Sequence, residues 1–121
     1  MFHAEIDATK RVLTVSFAHQ VDAGEMTRCF ERVGSLLEGV EPGFRLLTDL
    51  TSLESMDAAC SVVLGEMMSL CNAKGIGSVL TIVPDRTKDI GFDLLGSFRY
   101  GKDVDVTACD TLADAMHSIA N

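Results

Sequence analysis

Residues 46–64, LLTDLTSLESMDAACSVVL, decide the fold. A dense apolar run, FRLLTDL at 44–50, predicts a strand covered on both faces and ending near Asp49. A short polar turn follows, and then the residues turn apolar at helical spacing. Over 57–73 the polar positions Asp57, Ser61, Gly65, Ser69 and Asn72 fall on one stripe, and Ala, Cys, Val, Leu and Met fill the rest. Such a helix is predicted to be the most buried of the domain. Lys74-Gly75 closes it, and SVLTIV at 78–83 predicts another covered strand.

Working outward, Phe2, Ala4 and Ile6 alternate with His3, Glu5 and Asp7, the pattern of a half-buried strand. Leu13, Val15 and Phe17 repeat it, and the polar link DATKR joins the two as a hairpin. Asp22 followed by Glu25 predicts a helix start of capping-box type. Met26, Cys29, Phe30, Val33, Leu36 and Leu37 supply its apolar face, and Gly39 with Pro42-Gly43 stops it. Beyond Val83, Pro84-Asp85 predicts a helix with Ile90, Leu94, Leu95 and Phe98 turned inward. VDVTA at 104–108 predicts a last strand. A final helix, capped near Asp110 or Thr111, would bury Leu112, Ala115, Met116 and Ile119. The expected fold is one α/β domain over 1–121, with a mixed, mostly parallel sheet of about five strands, four helices and the order β-β-α-β-α-β-α-β-α.

Composition narrows the function. The 121 residues carry a formal charge of −8, with 10 Lys and Arg against 18 Asp and Glu. No basic cluster offers itself to phosphate, which argues against nucleic acid and against an anionic membrane surface. No apolar run reaches the ~20 residues that span a bilayer, so stable membrane insertion is not expected. The first residues lack the basic start and apolar block of a signal peptide. Cys29, Cys60, Cys71 and Cys109 show no CxxC spacing and sit among apolar neighbours, as small buried hydrophobes do. A reducing cytoplasm is the expected setting.

Motifs for chemistry are missing. His3, His19 and His117 have no carboxylate or cysteine at metal-ligand spacing, so no metal is expected. There is no GxSxG, no GxxxxGK[ST] and no GxGxxG after a strand, and no cofactor is expected. Lys74-Gly75-Ile76-Gly77 leads into a strand and is a turn. Asp22, Asp85 and Asp110 suit helix caps. Asp57 suits one too, although Asp49 at the end of a buried strand and Asp57 at the opening of the buried helix are together candidates for binding. An enzyme is not expected unless folding gathers Asp49, Asp57 and a histidine in one cleft.

The stretch D49-L-T-S-L-E-S-M-D57-A-A-C-S-V-V-L64 resembles the D-L-S-x-V-x-F-I-D-S-S-G-L-G-V-L-L pattern of anti-sigma factor antagonists in the STAS domain family. Asp49, Leu50, Leu53, Met56, Asp57, Val63 and Leu64 match identically or in kind. The resemblance places the family's phosphoacceptor serine on Ala58, its next small residue on Ala59 and its glycine on Cys60. Alanine cannot accept phosphate, so any switching would use another hydroxyl, Ser55, Ser61 or Thr51. The resemblance implies a non-enzymatic module of bacterial regulatory signalling. It would dock a regulatory protein, an anti-sigma factor or serine-kinase-like partner, at the start of helix 57–73. The binding rim would be Thr51, Ser52, Glu54, Ser55, Asp57, Ala58 and Ser61. Self-association is compatible with the sequence. The tail RYGKDVDVTACDTLADAM resembles the ending of the SpoIIAA-like group. That implies an alternative, a small apolar or lipid ligand lined by Met56, Met67, Phe92, Leu95 and Phe98.

Overall fold

A computed structural model describes residues 1–82, the strand at 105–109, and residues 111, 113, 114 and 117. Five strands and two helices are described: β1 (Phe2–Asp7), β2 (Val12–Val21), α1 (Ala23–Leu36), β3 (Arg45–Met56), α2 (Cys60–Ala73), β4 (Ser78–Ile82) and β5 (Asp105–Cys109). They form one sheet in the order β1-β2-β3-β4-β5. The β1–β2 pair is antiparallel, as the hairpin reading expects, and the other pairings are parallel. The predicted helix over 84–98 lies outside the described residues. Of the final helix only a turn is described, where the Asp114 amide donates to Thr111 Oγ1 at 3.1 Å, a capping contact at one of the two expected positions.

Strand alternation sorts the side chains between the two faces. Leu13, Val15 and Phe17 of β2 and Leu46 and Leu50 of β3 join Met26, Cys29 and Val33 of α1 and Leu64, Met67 and Cys71 of α2 in the main core. Phe17, Leu13, Met26, Leu50 and Leu64 are among its fully buried side chains. The next residues in register, Val12, Leu47, Leu80 and Ile82, form a second buried cluster. β3 and β4 are thus covered on both sides, as their unbroken apolar runs predict.

Helix α1 begins where its capping residues direct. Asp22 is extended, and its carboxylate accepts the Glu25 amide at 2.8 Å. At the amino ends of β3 and β4 the two helix-exit loops cross closely. The Gly43 amide reaches the Gly75 carbonyl at 2.6 Å, and the Gly77 amide reaches Phe44 at 2.8 Å. Gly75 has φ +86°, and a Cβ there would lie 2.7 Å from Pro42 Cβ, so a side chain is excluded both sterically and conformationally.

Four boundaries differ from the sequence expectation. β2 runs on to Val21 and β3 to Met56, so the polar turn expected at 51–56 is strand. Each continuation satisfies the other's backbone groups, and pairing outweighs the low strand propensity of Ser and Glu. α2 starts at Cys60, three residues after the expected Asp57. The last strand sits one residue later than 104–108.

Candidate functional site at the start of α2

The carboxyl ends of β2 and β3 build the site. Ser16 opposes Asp49 and Ala18 opposes Ser52, so β3 spends one residue more than β2 over this step. His19 opposes Leu53 and Gln20 opposes Ser55, which leaves Glu54 as a second extra residue. Such bulges twist a strand and re-aim its side chains. Here Thr51, Ser52 and Glu54 are exposed while Leu53 stays buried in the main core. Opposite the second bulge His19 takes φ +59°, a conformation uncommon for a residue with a side chain. His19 Nδ1 lies 3.9 Å from Glu54 Oε1, an ion pair when the imidazole is protonated.

From Met56 the chain turns into the helix under backbone control. The Asp57 amide donates to the Val21 carbonyl at 3.0 Å. The Cys60 and Ser61 amides then close short turns on the Asp57 and Ala58 carbonyls at 2.9 and 3.1 Å. Cys60 Sγ, also directed at the Val21 carbonyl, lies 3.7 Å from it. The residue before the helix is Ala59, with no side-chain cap. Asp57 is therefore not the cap that its residue type suggested: the 57–60 turn occupies the capping position and leaves its exposed carboxylate uncommitted to the helix start. Ala58 and Ala59 are exposed. Ser61 is half-buried, and its hydroxyl donates to the Ala58 carbonyl at 2.9 Å. Ser55 is half-buried at the end of β3.

The structure separates the two aspartates singled out in the sequence. Asp49 lies on the sheet face away from the main core, in a groove of about 680 Å³ that also takes in His3, Ser16 and Thr14. Its carboxylate accepts the Thr51 amide at 2.9 Å and the Thr51 hydroxyl. His3 Nε2 faces Glu5 at 3.4 Å. Asp7 caps the hairpin by accepting the Thr9 and Lys10 amides at 3.0 and 3.1 Å. One histidine and Asp49 do share a groove, but Asp57 is elsewhere, and the groove's carboxylates each have a neighbouring partner. No group of three metal-binding side chains occurs among the described residues.

Burial sets the thiols. Desolvation pushes Cys29 up to about 12 and Cys71 to about 11. Cys60 is raised as well, first by burial and then by the negative charges of Asp57, Asp22 and Glu25, against a lowering backbone hydrogen bond at Asp57. Three carboxylates thus act on the first residue of α2. Low-pKa reactive cysteines need the opposite environment.

Of the apolar lining expected from the tail resemblance, Phe92, Leu95 and Phe98 lie outside the described residues. Met56 is half-buried against the main core, and Met67 borders a void of about 10 Å³ with Leu64, Met68 and Cys71. That space matches one water. No helix of the described residues is long and apolar enough to cross a membrane.

Solved structures share this architecture. SpoIIAA, an anti-sigma factor antagonist, in its unphosphorylated form aligns over 100% of this chain and 99% of its own, with a TM-score of 0.67 at 15% identity. A protein of Shewanella loihica with a SpoIIAA-like fold aligns over 98% and 93%, with a TM-score of 0.69 at 15% identity. An anti-sigma factor antagonist from Mycobacterium paratuberculosis aligns over 100% and 96%, with a TM-score of 0.60 at 17% identity. No curated protein matches the sequence. The STAS domain family model matches residues 3–115, nearly the whole chain, and with the fold in agreement the protein belongs to the STAS domain family.

Proposed function

We propose that this protein is a non-enzymatic interaction module of bacterial regulatory signalling that docks a partner protein at the start of α2. One observation carries the reading. The bulged end of β3 and the 57–59 turn display Thr51, Ser52, Glu54, Asp57 and Ala58 together at the carboxyl ends of parallel strands, with Ser55 and Ser61 behind them. That edge of an open α/β sheet is where ligands and partners gather. Solved relatives of the same fold include anti-sigma factor antagonists, which supports a regulatory partner such as an anti-sigma factor or a serine-kinase-like protein.

Docking here works without the serine switch. Ala58 stands where the family's phosphoacceptor falls and offers no hydroxyl. The substitute hydroxyl of Ser61 is engaged with the Ala58 carbonyl. Partner affinity is then constitutive rather than set by a phosphate's added charge. The setting is the cytoplasm. The alternative is an apolar ligand lined by Met56, Met67, Phe92, Leu95 and Phe98, of which the last three lie outside the described residues; beside Met67 the described residues leave a void of about 10 Å³.

The test is affinity capture from the source cells with the wild-type chain and with Asp57→Arg. Wild type should retain a reproducible partner, and the variant should lose at least tenfold in affinity. Unchanged binding of every captured partner by Asp57→Arg would place docking elsewhere. Phosphopeptide mapping across 45–74 from the same cells should return unmodified Ser55 and Ser61.

A further inference from the structure

The docking edge has an apolar centre that the family pattern does not explain. Val62 is 68% exposed, and besides Met1 it is the only large hydrophobic residue so exposed among the described residues. It is exposed in the first turn of α2, three positions beyond the cap residue Ala59, and Ala58 and Ala59 are exposed in the turn that leads into the helix. Around them carboxylates predominate. Asp57 and Glu54 are exposed on the β3 side, and Asp22 is exposed at the start of α1. Glu25, the fourth carboxylate nearby, is taken by the Met1 ammonium. Two of the other three have a described cation nearby: His19 pairs with Glu54 when protonated, and the Arg28 guanidinium and the Asp22 carboxylate both lie within 4 Å of the place a Cβ on Gly24 would take, which leaves Asp57.

Resting on the docking site proposed above, we infer that the partner presents an aliphatic side chain flanked by lysine or arginine. The aliphatic group seats on Val62 between Ala58 and Ala59, and the flanking cations reach Asp57, Asp22 and Glu54. An apolar contact ringed by charge is how protein interfaces divide adhesion from orientation. An acidic or neutral segment would leave Asp57 facing no described counter-charge as water is displaced, which disfavours it. The Val21 carbonyl, which accepts the Asp57 amide at 3.0 Å, belongs to the residue just before Asp22, so the backbone brings the two aspartates to the same helix start.

The experiment is photo-crosslinking in the source cells, with p-benzoylphenylalanine at position 62 of the full chain and, as controls, at positions 10 and 69. Adducts are digested, and the crosslinked partner peptide is sequenced. The expected result is an adduct specific to position 62 whose peptide carries Lys or Arg within a few residues of an aliphatic side chain. Its yield should fall at least fivefold in Asp57→Lys and Asp22→Asn backgrounds, and also when salt rises from 50 to 300 mM in extract. An acidic or uncharged peptide at position 62 overturns this inference while docking at α2 stands. Adducts at position 10 in place of 62 overturn both. A yield indifferent to salt and to the Asp variants also overturns it, and circular dichroism of each variant separates lost contact from lost fold.

Discussion

The Asp57 amide donates to the Val21 carbonyl at 3.0 Å, so the last residue of β2 fixes the turn that launches α2. Asp57 serves this corner through its backbone and Asp22 serves the next helix through its carboxylate. The same residue type therefore has two different energetic roles within one end of the molecule. Asp22→Ala should cost about 1 kcal/mol of stability through loss of the cap. Asp57→Ala should change stability by less than about 0.5 kcal/mol, as an exposed side chain away from such features does. Urea denaturation of both variants decides it. A larger loss in Asp57→Ala would mean that its carboxylate caps the helix after all.

Gly75 and Gly39 both hold positive φ, +86° and +79°, but only Gly75 is crowded. Gly39→Ala should cost about 1 kcal/mol for the left-handed backbone alone. Gly75→Ala adds a clash with Pro42 at the loop crossing and should cost about 2–3 kcal/mol. Thermal unfolding of the pair measures the difference. Equal losses would show that the crossing relaxes freely.

Gly65 sits inside α2, and no neighbour among the described residues outside its own stretch of helix backbone lies within 4 Å of the place a Cβ would take. Gly65→Ala should stabilise the protein by roughly 0.5–1 kcal/mol, because alanine removes unfolded-state freedom at no packing cost. A lower melting temperature would reveal a contact on that face of the helix.

The buried thiols give the protein an alkaline limit. Folded Cys29 and Cys71 hold their protons to about 12 and about 11, while the ordinary value is 9.0. Below pH 9 the thiols are protonated whether the chain is folded or not, so their contribution to stability is complete. Above pH 9 the unfolded chain releases protons that the folded chain retains, and stability falls as pH rises. The slope is up to about 1.4 kcal/mol per pH unit for each thiol. Denaturation midpoints from pH 8 to 11 should decline, less steeply in Cys29→Ala. At pH 8, Ellman's reagent should label Cys29, Cys60 and Cys71 only as fast as the protein unfolds.

Periodicity alone revealed most of the framework. The alternation in residues 2–7 and 12–17, the Asp22 cap and the unbroken apolar run of β3 each follow from contacts within a few residues or from burial of a whole segment. These are properties that a local pattern encodes. The lengthening of β3 through Thr51–Met56 was not legible, because SLES has no strand signature and is held extended by pairing with Ala18–Val21. Asp57 illustrates the same limit, since aspartate before an apolar run reads as a cap. Only the hydrogen bond to Val21, a residue 36 positions earlier, shifts the helix start to Cys60.

The sequence by itself determined the order of the described elements, their apolar faces and the family resemblance, because hydrophobic burial and capping act over short stretches of chain. Tertiary structure alone decided the separation of Asp49 from Asp57, the positive φ of His19 at the β3 bulge and the exposure of Val62 beside a ring of carboxylates. Those depend on register between strands distant in sequence. A single inserted residue in β3 changes which side chains meet solvent, and no local pattern records it.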